Sequence, residues 1–600
     1  MGLPRRYKVC LHHTGGNNTR NISNHPNPQF ERQNWKSLNG EWDFGFKKQS
    51  VFHRLSKNKS EAFKLYKKAV FTHKINVPFC IESSLSGIGY TNFTGTVWYR
   101  KSVKIRKSDG RAILHIGAAD YLTTVFVNGK FAGRHSGGYT SFAFDISPFA
   151  SDGENEIFIL CEDNTKSPLI PSGKQSERKN SYACSYTRTT GIWQSVYIEY
   201  LPENEHIKAF KLYPDSARGT LTAKIELEGR NNLHCTAFYN GKEVGSCFAE
   251  NASGNIIITV PLKEIHLWQP ACGRLYDLKF TFGGDTVFSY FGLRTVCLDG
   301  FRFLVNEKSI FQRLVLDQGY YRKGIYTAQN DDELLRDIQI SMQLGFNGAR
   351  LHQKVFDPRF LYFCDREGYI VWGEYASWGI DYSDAKVLPI FLNEWREALE
   401  RDFNHPCIIG WCPFNETWNF RGKKQRNSLL EAVYNFTKAF DCTRPCIDTS
   451  GNFHTEKTDI YDVHDYRFDP VQFKKDYDRL VSSSELYEHV LIDNPGRQKY
   501  RGEPVFVSEY GGIKWAADAG YKSWGYGDDV KSEDEFAARY CALTEALTQN
   551  SKMLGFCYTQ LYDVEQEQNG LYTYDRAPKF KKETYKKIKS ANTAQAEIEK

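Results

Sequence analysis

The feature that most constrains this chain is a change of rhythm near residue 300. Before it, short runs of alternating polar and apolar residues succeed one another, punctuated by turn signals. After it, short apolar runs alternate with amphipathic stretches of helical period. Such a switch marks a boundary between architectures, and 600 residues exceed what one hydrophobic core serves, so several domains are expected.

Residues 1–30 are polar and Asn-rich without periodicity, and read as an extended arm. Over 31–202 the segments Val97-Trp98-Tyr99-Arg100, Ala112-Ile113-Leu114-His115-Ile116, Thr124-Val125-Phe126-Val127, Glu156-Ile157-Phe158-Ile159-Leu160 and Ser195-Val196-Tyr197-Ile198-Glu199 are strand-like. Asn128-Gly129 supplies a tight hairpin turn, because both residues tolerate positive φ. This predicts an all-β sandwich of jelly-roll size. A second series over 203–299 has another Asn-Gly turn at Asn240-Gly241. Its run Ile256-Ile257-Ile258-Thr259-Val260 reads as a buried strand, and the whole as a small immunoglobulin-like β-sandwich.

From 300 to 600, candidate strands lie at 311–316, 345–350, 369–373, 408–414, 445–449, 459–463, 504–508 and 555–559. Amphipathic stretches such as 331–344, with Leu334, Leu335, Ile338 and Met342 on one side, and 391–403 fall between them. This rhythm predicts a C-terminal (β/α)8 TIM barrel. The stretch 475–499 reads as an insertion forming a lid or rim loop.

Composition narrows the function. A charge of +6 on this length, with no Lys/Arg run interleaved with aromatics, argues against a nucleic-acid partner. Lys579, Lys581, Lys582, Lys586 and Lys587 read as the solvated face of a last helix. No run approaches the roughly 18 apolar residues of a membrane span. The start, MGLPRRYKVCLHHTGG, has basic residues with no apolar stretch of about 7–15 behind them. Fifteen scattered cysteines without paired CxxC spacing read as reduced thiols, so the expectation is cytoplasmic, with no metal or cofactor site. Aromatics at 15 % suit large β cores and also a sugar cleft, where rings stack on pyranose faces.

In a (β/α)8 barrel, catalytic side chains sit where strands end. The fourth candidate strand ends in Phe414-Asn415-Glu416 and the seventh in Ser508-Glu509-Tyr510-Gly511-Gly512. Two carboxylates so placed suit glycoside hydrolysis: one protonates the leaving oxygen while the other meets the oxocarbenium carbon. That chemistry predicts a raised pKa for the acid and an ionised nucleophile. An unpaired charge after an apolar strand is costly, which weighs against incidental surface glutamates.

The segment His405-Pro406-Cys407-Ile408-Ile409-Gly410-Trp411-Cys412-Pro413-Phe414-Asn415-Glu416 resembles the acid/base segment of glycoside hydrolase family 2, the β-galactosidase, β-glucuronidase and β-mannosidase family. Glu503-Pro504-Val505-Phe506-Val507-Ser508-Glu509-Tyr510-Gly511 resembles its nucleophile segment. Asn76-Val77-Pro78-Phe79, Val127-Asn128-Gly129, Thr189-Thr190-Gly191-Ile192-Trp193-Gln194 and Phe291-Gly292-Leu293-Arg294 extend the likeness over most of the chain. The resemblance implies a retaining exo-β-glycosidase, with Glu416 as acid/base and Glu509 as nucleophile; the alternative is a carbohydrate-binding protein on an inactive barrel, which predicts the loss of one carboxylate. It implies that Asn415 binds the sugar 2-hydroxyl, that Tyr466 hydrogen-bonds the nucleophile and that Arg350 supports it. His464 lines the pocket or serves structure, and His352 departs from the family spacing. Glu374 is a candidate for a sugar hydroxyl, and Trp378 and Trp411 for ring stacking or core. Asp163, Lys174 and Gln175 are candidates for substrate contacts from a sandwich loop, whether or not that loop reaches the barrel. The partner is a carbohydrate, and a homo-oligomer is compatible with the family.

The family's glucuronidases resemble one another in an Asn-x-Lys motif before Gly-[IL]-[FY]-Thr-x-Asp-Arg. Here Glu567-Gln568-Asn569 precedes Gly570-Leu571-Tyr572-Thr573-Tyr574-Asp575-Arg576. A rim carboxylate at Glu567 predicts a poor β-glucuronidase, unless Lys174 or Arg467 supplies a substitute cation; the terminal sugar is not readable from the sequence, and a β-galactosidase-like activity is the first expectation. β-Mannoside and α-L-arabinopyranoside are the other compatible substrates.

Overall fold

A computed structural model describes residues 24–48, 54–417, 423–486, 498–516 and 523–600. Most of the expected arm and part of the expected insertion, 487–497, lie outside these residues. The rest of that insertion, up to Ser482, is ordinary helix, Pro470–Ser482, started by Asp469 and Pro470.

Just after the expected arm, Glu31 and Arg32 join the two sandwiches. Glu31 bridges to Phe288. The buried Arg32 donates to Glu199 (2.7 Å) and Asp285 (2.8 Å), one on each sandwich. Burial pushes the Glu199 carboxyl up, and His115 and Arg32 overcome it, holding it at about 2.

The first sandwich packs a four-stranded sheet against a six-stranded sheet, with the inward residues of both forming one core. The Asn128-Gly129 hairpin is present, with φ of 50° and 75°. Trp98, Phe126 and Phe158 face outward from the larger sheet and are covered by helix Lys59–Lys67, capped by Asn58. In the second sandwich, strands Thr220–Tyr239 and Lys242–Pro261 form a long bulged hairpin around a separate core. Ile256–Val260 is not buried throughout: Ile257 is 66 % exposed, because the strand alternates faces and only one meets the core.

The barrel strands are β1 (Gln312–Asp317), β2 (Gly348–Leu351), β3 (Ile370–Glu374), β4 (Ile408–Cys412), β5 (Thr449–Ser450), β6 (Tyr461–Asp465), β7 (Val505–Gly511) and β8 (Met553–Thr559). They run in the parallel order β4-β3-β2-β1-β8-β7-β6, and the continuation Phe414–Asn415 pairs with β5. The intervening Pro413 has no N–H to give a ladder. Between β5 and β6 the contact is made by side chains, Ser450 Oγ donating to Asp462 Oδ2 at 2.5 Å. Helix Asp331–Gln343 buries Leu334 and Ile338, with Leu335 and Met342 half-buried beside them. In the last helix, Lys582–Asn592, the lysines 586 and 587 are exposed. Lys579 is not: its ammonium is buried on Asp563 (2.7 Å) beneath the β8 loop. Among the described residues no helix is long and apolar enough to cross a membrane, and none of the described cysteines is in a disulfide.

Candidate active site

Five strand ends, of β2, β3, β4, β6 and β7, converge on one mouth. Glu509 lies near the end of β7, 4 % exposed. Its Oε1 accepts from Arg350 Nη1 at 3.1 Å, and its Oε2 from the Tyr466 hydroxyl. Burial and the Glu509 charge push the Tyr466 phenol up, so it remains a donor. Arg350, buried at the end of β2, divides its fork among Glu374 Oε1 (2.6 Å), Ser508 O (2.7 Å), Glu509 and Asn415 Oδ1 (3.1 Å). Burial opposes its charge, and Glu374 and Glu509 outweigh that. One guanidinium thus fixes groups from β3, β4 and β7, which its planar set of donors suits.

Glu416 follows the continuation of β4 with φ of 46°, its N–H donating to Ser450 O at 2.7 Å. Its Oε1 lies 2.7 Å from His464 Nδ1 on β6. An oxygen of Glu416, an oxygen of Glu509 and a His464 nitrogen lie within 4.8 Å of one another. The expected raised pKa of Glu416 is not found. Burial pushes it up, but the His464 hydrogen bond and charge, then Lys174 and Arg350, hold it below the usual carboxylate range. His464 is raised: burial lowers it, and Glu509 and Glu416 overcome that.

Asn415 presents a buried Nδ2 with no partner among the described residues, beside the two carboxylates. That leaves a donor free for a ligand oxygen. Glu374 is committed elsewhere, to Arg350 through Oε1 and to His352 Nδ1 (3.1 Å) through Oε2. His352 is held far below its ordinary range by burial, then by Lys174, so it stays neutral. Trp378 lends its indole N–H to Asn415 O at 3.0 Å. Trp411 is a core residue bonded to Asp441.

The first sandwich supplies a wall. Gly173 has φ of 54°, and a Cβ there would sit 2.5 Å from Gln353 O, so only glycine lets this loop close on the end of β2. The next residue, Lys174, places its buried ammonium 4.0 Å from the Trp378 ring centroid. Burial lowers its pKa, but Cys184, Glu567, Glu509 and Glu416 together raise it. Among the described residues it has no carboxylate within ion-pair distance. Gln175 lies behind it, donating to Asp120 (2.7 Å), and Asp163 is buried in the sandwich. Arg467 is used up by Asp465 and Asp476.

Glu567 is not a rim carboxylate. It is 1 % exposed and accepts from the Tyr186 hydroxyl and from Asn569 Nδ2 (3.1 Å). The neighbouring Asp563 binds Lys579, Glu565 accepts from Thr187 N (3.0 Å), and Gln566 donates to Ala183 O. The β8 loop therefore docks on the sandwich. Sequence reasoning missed Tyr526, stacked on Tyr466 at 3.5 Å, and Cys184 beside Lys174; neither lies in a recognisable motif. The buried trio Asp365, His405 and Cys407 is satisfied by its own hydrogen bonds and by Tyr290. A cleft of about 530 Å³ between the arm, both sandwiches and the barrel is lined by neither Glu416 nor Glu509.

A (β/α)8 barrel whose mouth joins two close carboxylates is the architecture of a glycoside hydrolase. The chain belongs to glycosyl hydrolase family 2: residues 35–202 match that family's sugar binding domain and 298–592 its TIM barrel domain. It is similar to the β-glucuronidase of Rattus norvegicus, 26 % identical over 70 % of this chain and 69 % of that one. It is also similar to the β-galactosidase of Leuconostoc mesenteroides subsp. mesenteroides, 24 % identical over 73 % of this chain but only 44 % of that one. Among solved structures, an uncultured Clostridium sp. β-glucuronidase shares the fold, with a TM-score of 0.73 at 19 % identity over 94 % of this chain and 99 % of that one.

Proposed function

We propose that the chain is a retaining exo-β-glycosidase that removes a terminal sugar by double displacement. The observation that carries this is the carboxylate pair with oxygens within 4.8 Å. An inverting pair stands about 6.5–9.5 Å apart to admit a water, whereas a close pair suits attack by one carboxylate on carbon. Glu509 attacks the anomeric carbon, the bond to the leaving oxygen breaks, and a proton reaches that oxygen through Glu416. Water then enters, gives its proton back to Glu416, and releases the sugar from Glu509. The free Asn415 Nδ2 serves the 2-hydroxyl, a bond that strengthens as the ring flattens. Labelling with a 2-fluoro glycoside followed by peptide mapping tests this: label is expected on Glu509, and label elsewhere removes the assignment.

For the sugar, a neutral hexopyranoside of β-galactoside type is the first reading. Asn569 stands where the family's glucuronidases resemble one another in a Lys, and it is bound to Glu567 and Gln560. The buried Lys174 charge is offset by Glu567, Glu509 and Glu416. A second reading, a uronide, is favoured by one observation: Lys174 faces the mouth without an ion pair among the described residues. The names of the relatives above include both activities. Comparing kcat/KM for nitrophenyl β-galactoside, β-glucuronide and β-galacturonide decides between them. A faster uronide overturns the first reading.

A further inference from the structure

His464 stands at the head of a buried line of polar groups that the two-carboxylate chemistry does not use. Its Nδ1 faces Glu416 Oε1 at 2.7 Å, and its Nε2 lies 2.8 Å from Ser450 Oγ. Ser450 Oγ in turn donates to Asp462 Oδ2 at 2.5 Å, and Ser508 Oγ donates to the same oxygen. Beyond it, Asp462 Oδ1 lies 3.1 Å from His454 Nε2, and His454 Nδ1 lies 2.7 Å from Asp448 Oδ1. Gly451 is part of the arrangement, since a Cβ there would sit 2.7 Å from His464 Nδ1. Ser450, Asp462, His454 and Asp448 are all fully buried.

Counting hydrogens fixes where the protons are. A serine hydroxyl has one hydrogen, and that of Ser450 goes to a carboxylate oxygen, which can only accept. Ser450 therefore accepts from His464, so Nε2 carries a hydrogen, and Arg350 Nη1, at 3.4 Å from Nε2, makes a long approach beside that 2.8 Å bond. The 2.7 Å line between Nδ1 and Glu416 Oε1 must then hold one more proton, shared between an imidazole nitrogen and a carboxylate. We propose that the proton given to the leaving group is stored on His464 and passed through Glu416, with the Ser450–Asp462–His454–Asp448 line holding the ring in place. This rests on Glu416 being the acid/base.

The step balances. At rest His464 is an imidazolium and Glu416 a carboxylate. As the bond to the leaving oxygen breaks, Nδ1 hands its proton to Glu416, and the leaving oxygen, which keeps the bonding electrons, takes that proton from Glu416. His464 is left neutral with its hydrogen on Nε2. When water attacks the glycosyl ester, its proton passes through Glu416 back to Nδ1. The charged groups around His464 are Glu416, Glu509, Arg350 and Asp462, with Glu374, His352, Lys174 and the His454–Asp448 pair in the next ring. Their balance favours the imidazolium, raising His464 and lowering Glu416. His454 is likewise held charged: burial opposes it, and Asp448 and Asp462 raise it to about 10.

His464 is a positioning residue in this scheme, and its loss has a signature that loss of packing lacks. In His464→Gln, kcat/KM for a phenyl glycoside, whose leaving group needs a proton, should fall about 10- to 1,000-fold. For a dinitrophenyl glycoside, which needs none, it should stay within about 5-fold. The basic limb of the pH profile should move to lower pH, since the proton is then held by Glu416 alone. Equal losses on both substrates, or an unmoved limb, overturn the proposal. Where the variant misfolds, nitrogen-15 spectra of labelled wild-type histidines decide, with Ser450→Ala to assign the resonance. Both His464 nitrogens should be protonated at pH 7, and a neutral ring overturns the storage. The acid/base assignment is tested separately by azide rescue of Glu416→Ala, so rescue together with an unmoved His464→Gln limb removes this inference alone.

Discussion

The ends of β4 and β7 carry the same residue type in opposite surroundings. Glu509 is met by Arg350 and Tyr466, donors that keep their hydrogens throughout the neutral range. Glu416 is met by His464, a donor that gives its hydrogen up near neutrality. The contrast teaches that one carboxylate is bound for permanence and the other for exchange, and that the partner, more than burial, sets the role. Glu509 is buried and Glu416 half-buried, so burial does not separate the two as their partners do.

Breaking the permanent side should have the largest effect. Glu509→Gln removes the attacking oxygen, and turnover should fall on the order of 10,000-fold or more for every leaving group, as measured by steady-state kinetics with active-site titration. A loss that depends on the leaving group would assign Glu509 to the exchanging role instead.

Breaking the exchanging side should be conditional. Glu416→Ala should lose about 100- to 10,000-fold on phenyl glycosides and far less on dinitrophenyl ones. Azide should restore turnover and give a β-glycosyl azide. An α product, identified by NMR, would contradict retention.

The pH profile sharpens the same contrast. Glu416 is lowered and His464 raised. Between those two values the pair holds one proton and the enzyme should be active. As pH rises through the raised His464 value that proton is lost, and kcat/KM should decline. As pH falls through the lowered Glu416 value a second proton is added. A basic limb below the ordinary histidine value of about 6.5 would contradict the raised His464.

Tyr466→Phe should have a smaller effect than either glutamate, about 10- to 100-fold, because Arg350 still holds Glu509. A drop as large as that of Glu509→Gln would make the phenol part of the chemistry. Lys174→Met should be smallest on a neutral glycoside, within about 10-fold. On a uronide, by contrast, the same change should remove about 30-fold or more. Assaying one variant on both sugars separates the two readings.

The barrel, the first sandwich and the two glutamates were legible because each depends on neighbours close in sequence. An apolar run ending in Asn415-Glu416 or Ser508-Glu509 states its own place in a barrel. Strand five was less legible as a run, since its pairing with β4 is broken into a bridge between Trp411 and Cys446 and the ladder of Thr449–Ser450, and side chains make the contact to β6. Exposure of Ile257 and burial of Lys579 were misread for a related reason: a run of apolar or basic residues does not say which face meets a core.

By itself the sequence determined which residues end the strands, and so which carboxylates meet. Only the tertiary structure decided what each carboxylate meets. Arg350 reaches Glu509 across 159 residues, and Lys174 arrives from a different domain through the turn that Gly173 permits. Glu567 became a buried, hydrogen-bonded group rather than a rim charge, because the β8 loop docks on Tyr186. The lowered pKa of Glu416 could not be read from its own segment. Protonation responds to charges within a few ångströms, and those charges come from β2, β6 and the sandwich loop, which only folding brings together.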